Sequence, residues 1–173
     1  MKIALFGGTF DPPHKGHLEI VAHLLKEGFD RVWVLPAWRH PFGKKSASFW
    51  DRFHLARRAF HSFGPQVMIS DVERRLGKER SWTILTVRFL QKKYPQHQFT
   101  LVVGQDNYDE RQKWFRFNEI EKMVAILPIP RGPQSFVTDV SSTALREKIQ
   151  KKEPVQDLIP TEMLPLISKI YHH

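Results

Sequence analysis

Short apolar runs shut by glycine or proline, with helical periodicity between them, constrain this chain more than any other feature. Residues 2–6 end at Gly7-Gly8, 31–35 at Pro36, 99–103 at Gly104 and 124–127 at Pro128, and 67–70 is a further strand candidate. Residues 16–26 place Leu18, Val21, Ala22 and Leu25 on one helix face, and Gly28 suits the C-terminal stop. Residues 48–63 open on Ser48 and Asp51, a pair resembling a capping box. Residues 82–94 carry Ile84, Leu85, Val87, Phe89 and Leu90 ahead of Pro95, and two further helices are expected at 142–150 and 161–171. Apolar strands alternating with helices predict a mostly parallel sheet covered on both faces.

Such sheets bind ligands beyond the carboxyl ends of their strands. Four segments follow strands here: 7–17, 36–45, 70–81 and 104–114. The 173 residues and 41% hydrophobic content suit one domain, 1–173, with a helical C-terminal portion from about 142. Cysteine is absent, which excludes disulfides, thiolate metal sites and a cysteine nucleophile. No leader-like or membrane-length apolar run is present, so a cytoplasmic protein with no membrane partner is expected. The net charge of +9 is concentrated in residues 31–93, where 14 basic side chains face 4 acidic ones, a local +10. That field suits a polyanionic ligand, but charge alone does not separate a nucleotide from a nucleic acid.

The most informative segment reads Gly7-Gly8-Thr9-Phe10-Asp11-Pro12-Pro13-His14-Lys15-Gly16-His17. Glycines after a strand let the backbone approach a ligand closely. The prolines stiffen the turn, and His14 and His17 sit at the mouth of the next helix. There a phosphate meets free N–H groups, the positive dipole end and two imidazoles able to donate as charge builds. The competing reading is a proline-bounded turn with two solvated histidines. The glycines and the strand-to-helix context weigh against it.

This segment resembles the signature of the H-x-G-H nucleotidyltransferases, in the form similar to the bacterial nicotinate-nucleotide adenylyltransferases. The resemblance implies an α/β, Rossmann-like, doubly wound sheet of five to six mostly parallel strands with helices on both faces. It also implies that His14 and His17 stabilise the phosphates of ATP, with Gly7, Gly8, Thr9 and Phe10 lining the nucleotide site. Downstream, Val140-Ser141-Ser142-Thr143-Ala144-Leu145-Arg146 can be read as an ordinary capped helix with a surface arginine. It is also similar to the family's Ile-Ser-Ser-Thr-x-x-Arg. On that likeness Ser141, Ser142 and Thr143 bind the triphosphate and Arg146 joins the catalytic set.

Gly104-Gln105-Asp106 is similar to the family's Gly-x-Asp beside the adenosine; a turn aspartate capping a helix is the alternative. Trp114, eight residues beyond Asp106, resembles the family's tryptophan that stacks on the pyridine ring; a core tryptophan is the alternative. Arg80-Ser81-Trp82-Thr83 stands where the family has Ser-Tyr-Thr, implying that Trp82 and Thr83 meet the acceptor. The segment 36–45 departs from the family's Pro-x-x-x-Pro-Pro-His-Lys. Phe42 replaces the histidine, and Lys44, with His40 as an alternative, is the candidate for the acceptor phosphate. Leu158-Ile159-Pro160 is typical of the family's last helix.

The resemblance thus implies adenylyl transfer from ATP to nicotinate mononucleotide, giving deamido-NAD and pyrophosphate. Such a reaction needs positioning and charge neutralisation rather than a protein nucleophile. Mg2+ would travel with ATP, with no all-protein metal cage. A pantetheine-phosphate transferase would have Phe-Asp-Pro-x-Thr where Pro13-His14 stand, and a synthetase fragment would carry Lys-Met-Ser-Lys-Ser. An enzyme for nicotinamide mononucleotide or another phosphorylated acceptor stays open, as does a homo-oligomer. A nucleic-acid-binding module would explain the basic region but leave both phosphate signatures without a purpose.

Overall fold

The computed structural model describes residues 1–39, 46–77, 82–130, 132 and 135–171. In chain order the elements are β1 (Lys2–Gly8), α1 (Lys15–Lys26), β2 (Arg31–Pro36), α2 (Phe49–Ala59), β3 (Val67–Ile69), α3 (Val72–Leu76) and α4 (Thr83–Lys93). There follow β4 (Gln98–Gly104), α5 (Gln105–Asp109), α6 (Phe117–Met123), β5 (Ala125–Ile129), α7 (Ser142–Gln150) and α8 (Leu164–Tyr171). The strands form one five-stranded sheet in the order β3-β2-β1-β4-β5, every pairing parallel. This is the Rossmann-like arrangement. Its order reverses between β1 and β4, which places the ligand crevice at their carboxyl ends.

Successive side chains of a strand point to opposite faces, so a central strand must be apolar at every position. In β1, Ala4 and Phe6 join α1, α2, α7 and α8 in one core, while Ile3 and Leu5 join α3, α4 and α6 in the other. Val32 and Val34 of β2 divide from Trp33 and Leu35 in the same way. Helices α1 and α4 close over the two faces through Ile20, Val21 and Leu24, and through Ile84, Val87 and Leu90.

Local chemistry explains the boundaries. Ser48 caps α2 by accepting the Asp51 amide at 3.1 Å, and its hydroxyl donates to the Asp51 carboxylate at 2.6 Å. The helix expected over 48–63 ends at Ala59 and tightens into a 3-10 segment, His61–Gln66, in which Gly64 adopts a φ of 58° ahead of Pro65. The last expected helix is likewise divided, a 3-10 turn at Thr161–Met163 leading into α8. Strand β5 runs through Pro128 to Ile129 rather than stopping before it. Among the described residues it is an edge strand, paired with β4 alone, the kind of position in a sheet where proline is tolerated. Among the described residues no helix is long and apolar enough to cross a membrane.

Candidate active site

One cleft opens over the carboxyl ends of β1 and β4, in two lobes. Gly7, Gly8, Thr9, Gly104 and Asn107 line both. One lobe adds Phe10, His14, His17, Ser141, Ser142, Thr143 and Arg146. The other adds Ala37, Glu73, Trp82, Thr83, Lys113 and Trp114. Of the residues implied for the nucleotide, Phe10, His14, His17, Ser141, Ser142, Thr143 and Arg146 thus fall in one lobe, and of those implied for the acceptor, Trp82, Thr83 and Trp114 fall in the other.

The turn after β1 is held by its own side chains. Phe10 has a positive φ of 53°, a strained conformation for a bulky residue, and its buried ring packs edge-on to Phe6. Its centroid lies 4.9 Å from that of His17. Phe10 is thus a core group backing the histidine as well as a wall of the cleft. A Cβ on Gly8 would lie 3.1 Å from a Phe10 ring carbon, and one on Gly16 would lie 3.0 Å from Val137 Cγ1 and 3.1 Å from Thr138 O. Both glycines are close approaches of backbone to packed neighbours.

The two histidines are coupled. Their rings stack with centroids 3.7 Å apart, and the His14 amide donates to His17 Nδ1 at 3.1 Å. A ring nitrogen that accepts carries no proton, so neutral His17 holds its proton on Nε2. His14 is the N-cap of α1 and is 3% exposed, contrary to a pair of solvated histidines.

The second signature meets the first from far along the chain. Ser141 caps α7 by accepting the Ala144 amide at 3.1 Å. The Ser142 hydroxyl donates to Pro12 O at 2.9 Å, and Arg146 Nη1 donates to Asp11 O at 2.5 Å and lies 3.4 Å from the Asp11 carboxylate. The amino ends of α1 and α7 thus converge on one lobe and make it electropositive.

In the other lobe Trp82 and Thr83 stand at the amino end of α4, and the Trp82 ring lies 4.9 Å from the exposed Phe115. Trp114 is half-buried and packs edge-on to Phe117, so it is both core and wall. Glu73 accepts the Trp38 amide at 3.2 Å. Asp106 is exposed in the first turn of α5 and does not line either lobe; Asn107, one residue on, lines both. Lys44 and His40, and Arg80 and Ser81, lie outside the described residues.

A buried polar network beneath the cleft was not foreseen. Arg52, 2% exposed, donates through Nε to Ala47 O at 3.0 Å, through Nη1 to Thr9 O at 2.7 Å and through Nη2 to Ala37 O at 2.7 Å. Burial lowers its pKa, opposed by the Asp11 carboxylate. Asp11 accepts the Tyr171 hydroxyl at 2.6 Å and the Ala47 amide at 3.2 Å. Burial, then that hydrogen bond, pushes the Tyr171 phenol upward and keeps it protonated. By contrast Arg57 and Arg58 line a separate groove with His61 and Glu162, so the basic region does not converge on the cleft as a whole.

Residues 5–148 match the family described as cytidylyltransferase-like. The nicotinate-nucleotide adenylyltransferase of Bacillus subtilis is 32% identical, over 94% of this chain and 93% of that protein. A protein of Anaeromyxobacter dehalogenans named "Probable nicotinate-nucleotide adenylyltransferase" is 35% identical, over 94% of this chain and 91% of its own length. Among solved structures, the Plasmodium falciparum nicotinic acid mononucleotide adenylyltransferase complexed with NaAD shares the fold. Its TM-score is 0.79 at 17% identity, covering 97% of this chain and 95% of that one.

Proposed function

The chain belongs to the cytidylyltransferase-like family, among the nicotinate-nucleotide adenylyltransferases, and on that premise we propose that its cleft transfers the adenylyl group of ATP to nicotinate mononucleotide. The products are deamido-NAD, for NAD biosynthesis, and pyrophosphate. The observation that carries this reading is the meeting of two phosphate signatures in one lobe, Ser142 on Pro12 O and Arg146 on Asp11 O, beside the stacked histidines.

An oxygen of the acceptor 5′-phosphate attacks the α-phosphorus of ATP in line, and the bond to the departing pyrophosphate breaks. Mg2+ would accompany ATP as part of the substrate and would supply charge neutralisation at the triphosphate. His17 donates from Nε2 to a phosphate oxygen, Arg146 and His14 neutralise the charge that develops, and Ser141, Ser142 and Thr143 hold the triphosphate. Gly8 and Thr9 form the saddle over which the new phosphoanhydride is made. A mononucleotide seated with its ring on Trp114 and its phosphate at Thr9 needs only alignment for transfer.

The amino end of α4 at Trp82 and Thr83 favours a carboxylate on the ring over an amide. Initial rates with ATP and each mononucleotide test the assignment. The nicotinate form should be used at least tenfold better, and equal or better use of the amide overturns the choice of acceptor. Trp114→Ala removes a stacking surface on the order of 1–3 kcal/mol, the range measured for bases on aromatic side chains. The KM for the mononucleotide should rise about 10- to 100-fold, with kcat and the KM for ATP within threefold of wild type. A rise in the ATP KM instead would place Trp114 in the other half of the reaction.

A further inference from the structure

We propose that Arg52, through three backbone carbonyls, and Tyr171, through Asp11, are positioning residues that clamp the acceptor side of the cleft to the nucleotide turn. The inference rests on the adenylyl-transfer reading and names what keeps its two halves in register.

The clamp is visible in how fully two alanines are bonded. Ala37, which lines the acceptor lobe, donates its amide to Gly8 O at 2.9 Å and accepts Arg52 Nη2 at 2.7 Å. Ala47 donates its amide to Asp11 at 3.2 Å and accepts Arg52 Nε at 3.0 Å. These alanines are on either side of the segment 38–46 that follows β2. The third arm of Arg52 reaches Thr9 O at 2.7 Å, in the saddle shared by both lobes. Tyr171, on the last helix, fixes the Asp11 carboxylate at 2.6 Å, and Asp11 also faces Arg146.

Stability does not explain this arrangement well. A buried ion is often no more stabilising than an apolar group of the same shape. What a planar guanidinium adds is direction, three donors in a rigid fork. Here that fork sets the distance from the exit of β2 to the turn that follows β1. In-line transfer depends on that distance, because a displacement of about 1 Å of the reacting groups can cost about 100-fold in rate.

The test uses the full chain with ATP and nicotinate mononucleotide. Arg52→Lys keeps the charge but cannot reach three carbonyls, and Tyr171→Phe removes one hydroxyl. Expected are losses in kcat of about 100-fold and about tenfold respectively. The Kd for ATP, from calorimetry, should stay within threefold in both. The double variant should lose less than the product of the single losses, since both act on one clamp. If Arg52→Lys does not fold, Tyr171→Phe decides alone. A Tyr171→Phe protein with wild-type kcat and only a lowered Tm overturns the proposal, because a merely structural bond would behave so. A wild-type chain that transfers nothing would refute the functional reading, and the clamp with it. An active wild type with unaffected variants refutes the clamp only.

Discussion

Replacing His17 by alanine should lower kcat about 10²- to 10³-fold, the loss found when one preorganised donor to a developing oxyanion is removed. The size follows from the tautomer. The His14 amide occupies His17 Nδ1 at 3.1 Å, so the single ring proton sits on Nε2 and its direction is fixed before substrate arrives. Alanine also leaves the His14 amide without that acceptor, which costs stability on the order of 1–3 kcal/mol. Asparagine separates the two effects. Its carbonyl can accept the amide where Nδ1 did, but it is too short to donate where Nε2 did. His17→Asn should therefore melt near wild type and still turn over at least 100-fold more slowly, in the range expected for one lost donor. Pyrophosphate release and thermal denaturation on the same preparations check both halves. A His17→Asn enzyme with wild-type turnover would remove His17 from the chemistry.

Arg146 should show the second large effect, in both activity and stability. Its guanidinium holds Asp11 O at 2.5 Å and lies 3.4 Å from a carboxylate that is almost fully buried. Arg146→Met removes a charge-assisted contact to the triphosphate and leaves the Asp11 anion with one cation fewer. We expect kcat/KM for ATP to fall about 100-fold, equivalent to about 2.7 kcal/mol of transition-state binding. Stability should fall by about 1–3 kcal/mol, from a side chain that is one-fifth exposed in the folded protein. Arg146→Lys restores the charge but not the fork, so it should recover stability better than rate. Equal recovery of both would mean that charge alone matters at this position.

Much of the sheet was legible because a strand buried on both faces has to be apolar throughout and then stop. Lys2–Gly8 shows this, with two glycines at the point where the chain leaves the sheet. The short helices were harder. Val72–Leu76 and Gln105–Asp109 span barely more than a turn each, too little for a period to show, and they form because the sheet brings their neighbours together. That local turn matters at Asp106. One helical residue rotates a side chain by about 100°, so Asn107 rather than Asp106 meets the cleft.

Arg52 shows a different limit. In a strongly basic stretch it reads as one more solvated charge, yet it shares a helix stripe with Leu55, Ala56 and Ala59 at i+3, i+4 and i+7. An arginine on the apolar stripe is the signal that could have found it. Tyr171 stands in the same relation to Ile167 on α8. What no local pattern could supply is the bond from Tyr171 to Asp11, 160 residues away.

On the proposed function one cleft, divided at Gly8–Thr9, holds both halves of a dinucleotide. The most direct measurement is a crystal structure of the chain with deamido-NAD bound. The pyridine ring is expected on Trp114 in the lobe of Trp82 and Thr83. The pyrophosphate should lie over Gly8 and Thr9, with the adenylyl phosphate within hydrogen-bond distance of His17. A dinucleotide bound in the Arg57–Arg58 groove, or lying wholly within one lobe, would contradict it.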